Sequence, residues 1–534
     1  MLKKLIFPII FFTILFGYRC ELGKEHNRSR PELELSYLSK SGNFMIHYDS
    51  SGGNAPVNLD ENNNLVPDYI ESVSEIAEES RDVLINVMGY QQEPDDADGI
   101  YDIYIQNYSR WGANFPESTN GESYVIIDND YSGENFESDY CSNYLDKMRI
   151  SVAHEYFHAI QRSYRPDYNQ DHDFLLEMSS MWFERLMIDN CSDYLTFSES
   201  PIGILENPTQ AFDGADVDAS NQANFGYSMA LFAHYLSRIT DSKGFEDERS
   251  SDIIRKIWEQ YCYVQGSDSC SENHSPREAI IQTIEGFGDS FSRAWSDFIA
   301  RNMLNGSYSY FNQNMYYHED QQYINPPSVG ITDILSQNEA STINLVLNPY
   351  SASIITLIAF NDMIINSDFS DNLDEFNGYY SLRGDVSTYN FIDNANFSLD
   401  LNDMDTYSLV LTSKTGNSSV DFSFEVAIAP DLVLSISKVY PNPIISNQNI
   451  IFQIETNSAI DFIDEARLNI ELYNMLGQKV GSFYENIQLD SGYNDISIPL
   501  KNYINSSGTY IIKAAIDLGE HGYKNYSKKI TVFK

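Results

Sequence analysis

The sequence predicts a multidomain protein, an α+β domain followed by two β-sandwich domains, and three observations carry that expectation. At 534 residues the chain exceeds what one hydrophobic core holds, since single cores stop growing near roughly 250–300 residues. Helical and short-strand periodicities mix from about residue 30 to 320, whereas from about 325 onward β segments alternate with Asn, Ser and Gly turns. The adjacent Pro326 and Pro327 in "YINPPSVG" mark the first change, and Ala429 and Pro430, ahead of "LVLSISKVYPNP", mark the second. The expected units are residues 1–20, 30–320, 325–430 and 436–534.

Lys3 and Lys4 precede an apolar run from Leu5 to about Phe16, too short to cross a bilayer and suited to a secretory signal peptide, so export is expected. Cys20 closes that segment. Arg19 stands where lipoprotein signals carry a small residue, which argues against lipid attachment, and the cysteine is expected to leave with the signal. No later stretch approaches ~18 unbroken apolar residues, so the mature chain is not expected to be an integral membrane protein. A formal charge of −45 disfavours nucleic acid and anionic membrane surfaces as partners, because repulsion replaces the counterion release that drives such binding. Cys141, Cys191, Cys262 and Cys270 remain, an even number that suggests disulfides in an exported chain. Proximity favours Cys141 with Cys191 and Cys262 with Cys270.

Next comes "LDENNNLVPDYIE", in which Asp60, Asn62, Asn64, Asp68 and Glu71 fall at positions 1, 3, 5, 9 and 12 of an EF-hand-like loop. With the Val66 carbonyl they form a candidate calcium site, although Leu65 occupies the place where such loops carry glycine. The other reading is an Asn-rich capped turn that opens a helix at Pro67. "YDIYI" and "SYVIID" then read as strands.

"ISVAHEYFHAIQ" reads as a helix: Ile150, Ala153, Phe157 and Ile160 form one apolar stripe, and Pro166 ends the segment. His154 and His158 lie four apart and project from the same side, where two imidazole nitrogens can meet one ion. Glu155 follows the first histidine and can reach a water on that ion without ligating it. A second helix, "DHDFLLEMSSMWFERLM", carries Glu177, 19 residues after His158, and Glu184 two turns further along the same face. His154, His158 and Glu177 make a two-His-one-Glu set that suits a catalytic zinc with one open position.

"HEYFH" followed by "EMSSMWFE" resembles the gluzincin clan of zinc metallopeptidases, where an E-x-x-x-x-W-x-E helix supplies the third ligand. The resemblance implies a zincin-like α+β catalytic domain, His154, His158 and Glu177 as zinc ligands, Glu155 as general base, and Glu184 as a carboxylate that orients a ligating histidine. In such enzymes a sheet edge beside the cleft pairs with the extended substrate. "NQANFGYSMALFAHYLSRI" reads as one amphipathic helix, and Tyr227 or His234 on it is a candidate donor to the oxyanion. The expected function is secreted endopeptidase, with a protein or peptide substrate. The alternative is a surface adhesion or carbohydrate-binding protein whose zinc site is inactive or structural.

"STINLVLNP" and "ASIITLIAF" read as strands of a middle β-sandwich. From Val439 the chain runs "VYPNP", "LNIELYNMLGQKV", "SSGTYIIKA" and "SKKITVFK". This segment closely resembles the sorting domain that directs cargo through the type IX secretion system. The resemblance implies a partnership with that machinery, and an extracellular or surface-attached location.

Overall fold

The computed structural model describes residues 19–22, 29–95, 98–166, 173–262, 274–306, 316–335, 341–359, 363–366, 376–383, 389–392, 398–401, 406–413, 419–428, 434–456, 466–504, 506–518 and 523–534. Residues 1–18 of the expected export signal, and Cys270, lie outside them. The first unit is built on six strands: β1 (Cys20–Leu22), β2 (Leu35–Leu38), β3 (Phe44–Tyr48), β4 (Tyr101–Gln106), β5 (Gly112–Pro116) and β6 (Ser123–Asp128). They form one mixed sheet in the order β1-β5-β6-β4-β3-β2. Period-two alternation decides its faces. Ile103, Ile105, Val125 and Ile127 point into the main core, while Tyr104, Ala113, Phe115, Tyr124 and Ile126 form a small cluster of their own.

The two expected strands are β4 and β6, in the sheet interior. The strand beyond β6 is β5, which pairs antiparallel to it and was not among the expected strands. Its outer edge is not open, because β1 pairs there in parallel, with Cys20 opposite Gly112. On β1, Cys20 is 4% exposed and belongs to the main core.

Helices α1 (Asp68–Arg81) and α2 (Tyr144–Tyr164) pack against this sheet, and α3 (Asp173–Met187) packs against α2. The Asn143 side chain caps α2 by accepting from the Leu145 N–H. The helix stops at Arg165, since the residue before a proline is pushed out of helical geometry. Cys141 and Cys191 form a disulfide that ties the approach to α2 to the exit of α3, with a sequence separation of 50. Closing a loop of that length contributes about 4 kcal/mol in the chain-entropy model. Cys262 is also disulfide-bonded.

Later helices are α4 (Tyr194–Ser198), α5 (Gln222–Ser228), α6 (Ala230–Tyr235), α7 (Ile253–Tyr261), α8 (Pro276–Gly286) and α9 (Phe291–Asn302). The single amphipathic helix expected around Tyr227 is divided into α5 and α6 at Met229. At Gly226 α5 presses so closely on α3 that an added Cβ would stand 2.8 Å from the Phe174 backbone.

Strands from Ile331–Leu335 to Val420–Ile428 form a five-stranded and a four-stranded sheet. This middle unit joins the first through a continuous core: Ala352, Ile354 and Val410 pack in the same cluster as α9. Tyr350 lies edge-on to Phe212 and Phe291, with ring centroids 5.9 and 5.7 Å away. The last unit, from Leu434, pairs a three-stranded with a five-stranded sheet around a separate core that includes Phe452, Leu468, Ile512 and Ile530.

Candidate metal centre

The helical repeat sets His154 and His158 one turn apart on α2, with ring centroids 4.7 Å apart. Each imidazole is held by its far nitrogen. His154 Nδ1–H donates to Glu184 Oε1 at 2.7 Å, and His158 Nδ1–H donates to Gln161 Oε1 at 2.8 Å. Gln161 is itself anchored, donating to the Leu176 carbonyl and to the hydroxyls of Ser179 and Ser180 on α3. In the neutral rings those bonds select the tautomer in which both Nε2 atoms carry a lone pair toward the same point. Glu177 Oε2 lies there, 3.0 Å from His154 Nε2 and 3.7 Å from His158 Nε2.

Cys20 completes the group. Its Sγ is 3.4 Å from His158 Nε2, and one ligand atom from each of Cys20, His154, His158 and Glu177 lies within 4.8 Å of the others. Sulfur, two imidazole nitrogens and a carboxylate oxygen are the donor chemistry zinc prefers, at a number that fills a tetrahedron.

Electrostatics fit a cation as well. Burial pushes Glu155 up to about 8 and raises Glu177, the charge on His154 offsetting part of each. Burial alone would lower His154, but hydrogen bonds to Glu177 and Glu184 outweigh it and push it up to about 10. His158, held well below its ordinary value by burial and by His154, keeps its lone pair.

Glu155 faces the same point but lies beside the donor set, its Oε2 accepting from the Cys20 thiol at 3.3 Å. Gly112 makes room for it, since a Cβ there would stand 2.5 Å from Glu155 Cγ. Asn114, also on β5, donates to the Glu155 backbone carbonyl at 3.2 Å. Tyr227 closes the other side: its ring lies 6.2 Å from that of His154, its hydroxyl accepts the Cys20 N–H at 3.1 Å, and burial keeps the phenol protonated.

The structure thus brings together His154, Glu155, His158, Glu177, Glu184 and Tyr227. It does not bring His234 there. That residue bonds Glu248 at 2.9 Å, in a buried hub where Glu248 also accepts from Trp182 Nε1 at 2.8 Å and Arg238 at 2.6 Å. Sequence reasoning missed Arg19, Cys20, Asn114 and Gln161. Only Gln161 carried a signal, one helical turn beyond His158.

The EF-hand-like loop is assembled at the start of α1. Asp60 accepts from the amides of Asn64 and Leu65, Asp68 accepts from that of Glu61, and Asn64 accepts from that of Val66. Asn62 and Asn64 each donate to Glu71 at 2.8 Å. Leu65 takes the left-handed conformation, φ +73°, that a glycine would adopt more easily.

Among the described residues no helix is long and apolar enough to cross a membrane. No curated protein sequence matches the chain. Among solved structures it is similar to a β-glucuronidase of Parabacteroides merdae at TM-score 0.14 and 8% identity, covering 33% of this chain and 28% of that one. It is also similar to a β-D-mannosidase of Dictyoglomus thermophilum at TM-score 0.15 and 10% identity, covering 34% and 29%. The chain therefore spans under a third of each of those structures, and likeness at this level carries no argument about fold or activity. Residues 438–532 match the secretion system C-terminal sorting domain. The chain ends in a type IX sorting domain and is exported by that route, to be attached at the cell surface or released.

Proposed function

We propose that the first unit is a zinc-dependent endopeptidase of gluzincin type. The observation that carries this reading is the convergence of His154 Nε2, His158 Nε2 and Glu177 Oε2 on one point, with the buried Glu155 carboxylate facing it from outside the donor set. Zinc held by those three residues would polarise a peptide carbonyl and bring the pKa of a water to about 7. Glu155 Oε2 is placed to take that water's proton and later return it to the leaving amine. The Tyr227 hydroxyl is placed to donate to the carbonyl oxygen as negative charge develops there. With β1 displaced, the edge of β5 would offer backbone groups to an extended peptide, a mode of binding that reads main chain more than side chain. Calcium in the Asp60–Glu71 loop belongs to the same reading as a stabilising ion, detected as a rise in Tm on adding calcium to chelator-treated protein.

Purified chain should contain one zinc and cleave a generic unfolded protein, and a chelator should stop the cleavage. Glu155→Gln should keep the zinc and lose about 10²- to 10⁴-fold in rate. Unchanged cleavage by that variant would remove Glu155 from the role. A second reading, an adhesion or binding protein with a structural zinc, is favoured by one observation: Cys20 offers a fourth protein donor, and four protein ligands close a zinc site. Stoichiometric zinc with no cleavage, even after Cys20 is replaced, would select it.

A further inference from the structure

We infer that Cys20 is a reversible fourth ligand that holds the metal centre latent, a latch carried by β1. The inference rests on the metal reading above and specifies its regulation. Cys20 is not a lone thiol near a site, because its Sγ completes a four-atom group with His154, His158 and Glu177.

The same residue engages two other groups of the proposed chemistry. Its thiol donates to Glu155 Oε2, and its backbone N–H occupies the Tyr227 hydroxyl. Its strand lies along β5, where Trp111 N–H donates to the Arg19 carbonyl at 3.1 Å, so β1 covers the edge that an extended peptide would use. A structural zinc site has no use for a buried carboxylate such as Glu155, whose desolvation is unfavourable; a latched hydrolytic site requires one.

Arg19 is the anchor. Its guanidinium sits 4.0 Å over the Trp111 ring and pairs with Asp193 at 2.6 Å and Glu184 at 3.2 Å. Glu184 is also the acceptor for His154, so the anchor ends on the carboxylate that orients a proposed ligand. Latch and site differ in permanence. Cys20 stands on a three-residue strand at the sheet margin, whereas the histidines and Glu177 stand on helices of 21 and 15 residues tied by a disulfide. On ligation the thiol proton passes to Glu155 Oε2 and Sγ gives an electron pair to the metal. Release reverses both transfers and frees Glu155 and Tyr227.

The test loads cobalt(II) into the purified full chain and into Cys20→Ala and Cys20→Ser. The expected result is one cobalt per chain in all three, and a thiolate-to-cobalt charge-transfer absorption in the wild type alone. Cleavage of an unfolded protein should be about tenfold faster or more in both variants, the reciprocal of an open fraction of at most roughly 10%. Cobalt bound by the wild type without the sulfur band overturns the ligand and leaves the peptidase proposal standing. The band with equal cleavage by all three proteins overturns the latch. The band with no cleavage by any of them keeps the ligand and overturns the peptidase. Failure of every protein to bind cobalt overturns both proposals, and an intact mass showing that the exported chain begins beyond Cys20 overturns the latch.

Discussion

Gln161 tests how the centre is held together. It fixes the His158 ring through Nδ1 and is itself fixed by three acceptors on α3, so removing its amide frees the ring without touching a proposed ligand. Gln161→Leu should weaken zinc binding by about 10- to 100-fold, the usual effect of losing an outer-shell partner, read by competition with a chromogenic chelator. Unchanged affinity would mean that packing and the Ser180 hydroxyl, 3.3 Å from Nδ1, suffice to orient His158. The convergence of His154, His158 and Glu177 was legible in the sequence because helical spacing places two of them on one face, and a return helix places the third. Cys20 was not. It lies 134 residues before His154, and only strand pairing with β5, which no local pattern announces, brings it to the same point.

Secondary elements carry their own consequences. Leu65 is 90% exposed and sits at φ +73°, so it contributes little burial to offset its backbone strain. Leu65→Gly should raise stability by about 0.5–1 kcal/mol, left-handed strain less the added chain entropy of glycine, measured by urea unfolding. A loss of stability would show that the strain estimate is wrong.

The hub beneath α3 predicts acid sensitivity. Burial, aided by the positive charges of His234, Arg238 and Arg185, holds His318 well below its ordinary value of 6.5. Burial would raise Glu248, but His234, Arg238 and Ser237 outweigh it and hold it at about 2. Below about pH 6.5 the unfolded chain takes a proton that folded His318 refuses, so stability falls as pH drops. Glu248 adds a loss in the same direction between about pH 4.5 and 2. His318→Asn keeps the acceptor that caps the Asp320 amide and removes the titration. Relative to that variant, the wild type should lose up to about 1.4 kcal/mol per pH unit between pH 6 and 5. A constant difference between the two would contradict the assignment. None of this hub was legible, because its members come from four separated segments. The stripe and the end of α2 were legible, since Ile150, Ala153, Phe157, Ile160 and Pro166 are local signals, whereas its start at Tyr144 and its Asn143 cap were not read.

Taken as a whole, the molecule divides where its cores divide. The middle unit shares the first unit's core through Tyr350, Ala352 and Val410, whereas the sorting domain has its own. Removing residues 434–534 should leave the Tm of the remaining chain and its cleavage rate unchanged while abolishing export. A fall in Tm would mean that the last unit supports the first. The domain order was legible from the loss of helical periodicity near residue 325, but the attachment of the middle unit was not, because aromatic contacts such as Phe212 with Tyr350 join positions 138 residues apart.

The most direct test of the metal centre is X-ray absorption at the zinc edge of the exported chain, with Cys20→Ala beside it. One zinc per chain should show two imidazole nitrogens at about 2.0 Å, one carboxylate oxygen, and one sulfur at about 2.3 Å. In Cys20→Ala an oxygen should replace the sulfur. A centre without two histidines, or a chain without zinc, would contradict the proposal that His154, His158 and Glu177 form a metal site.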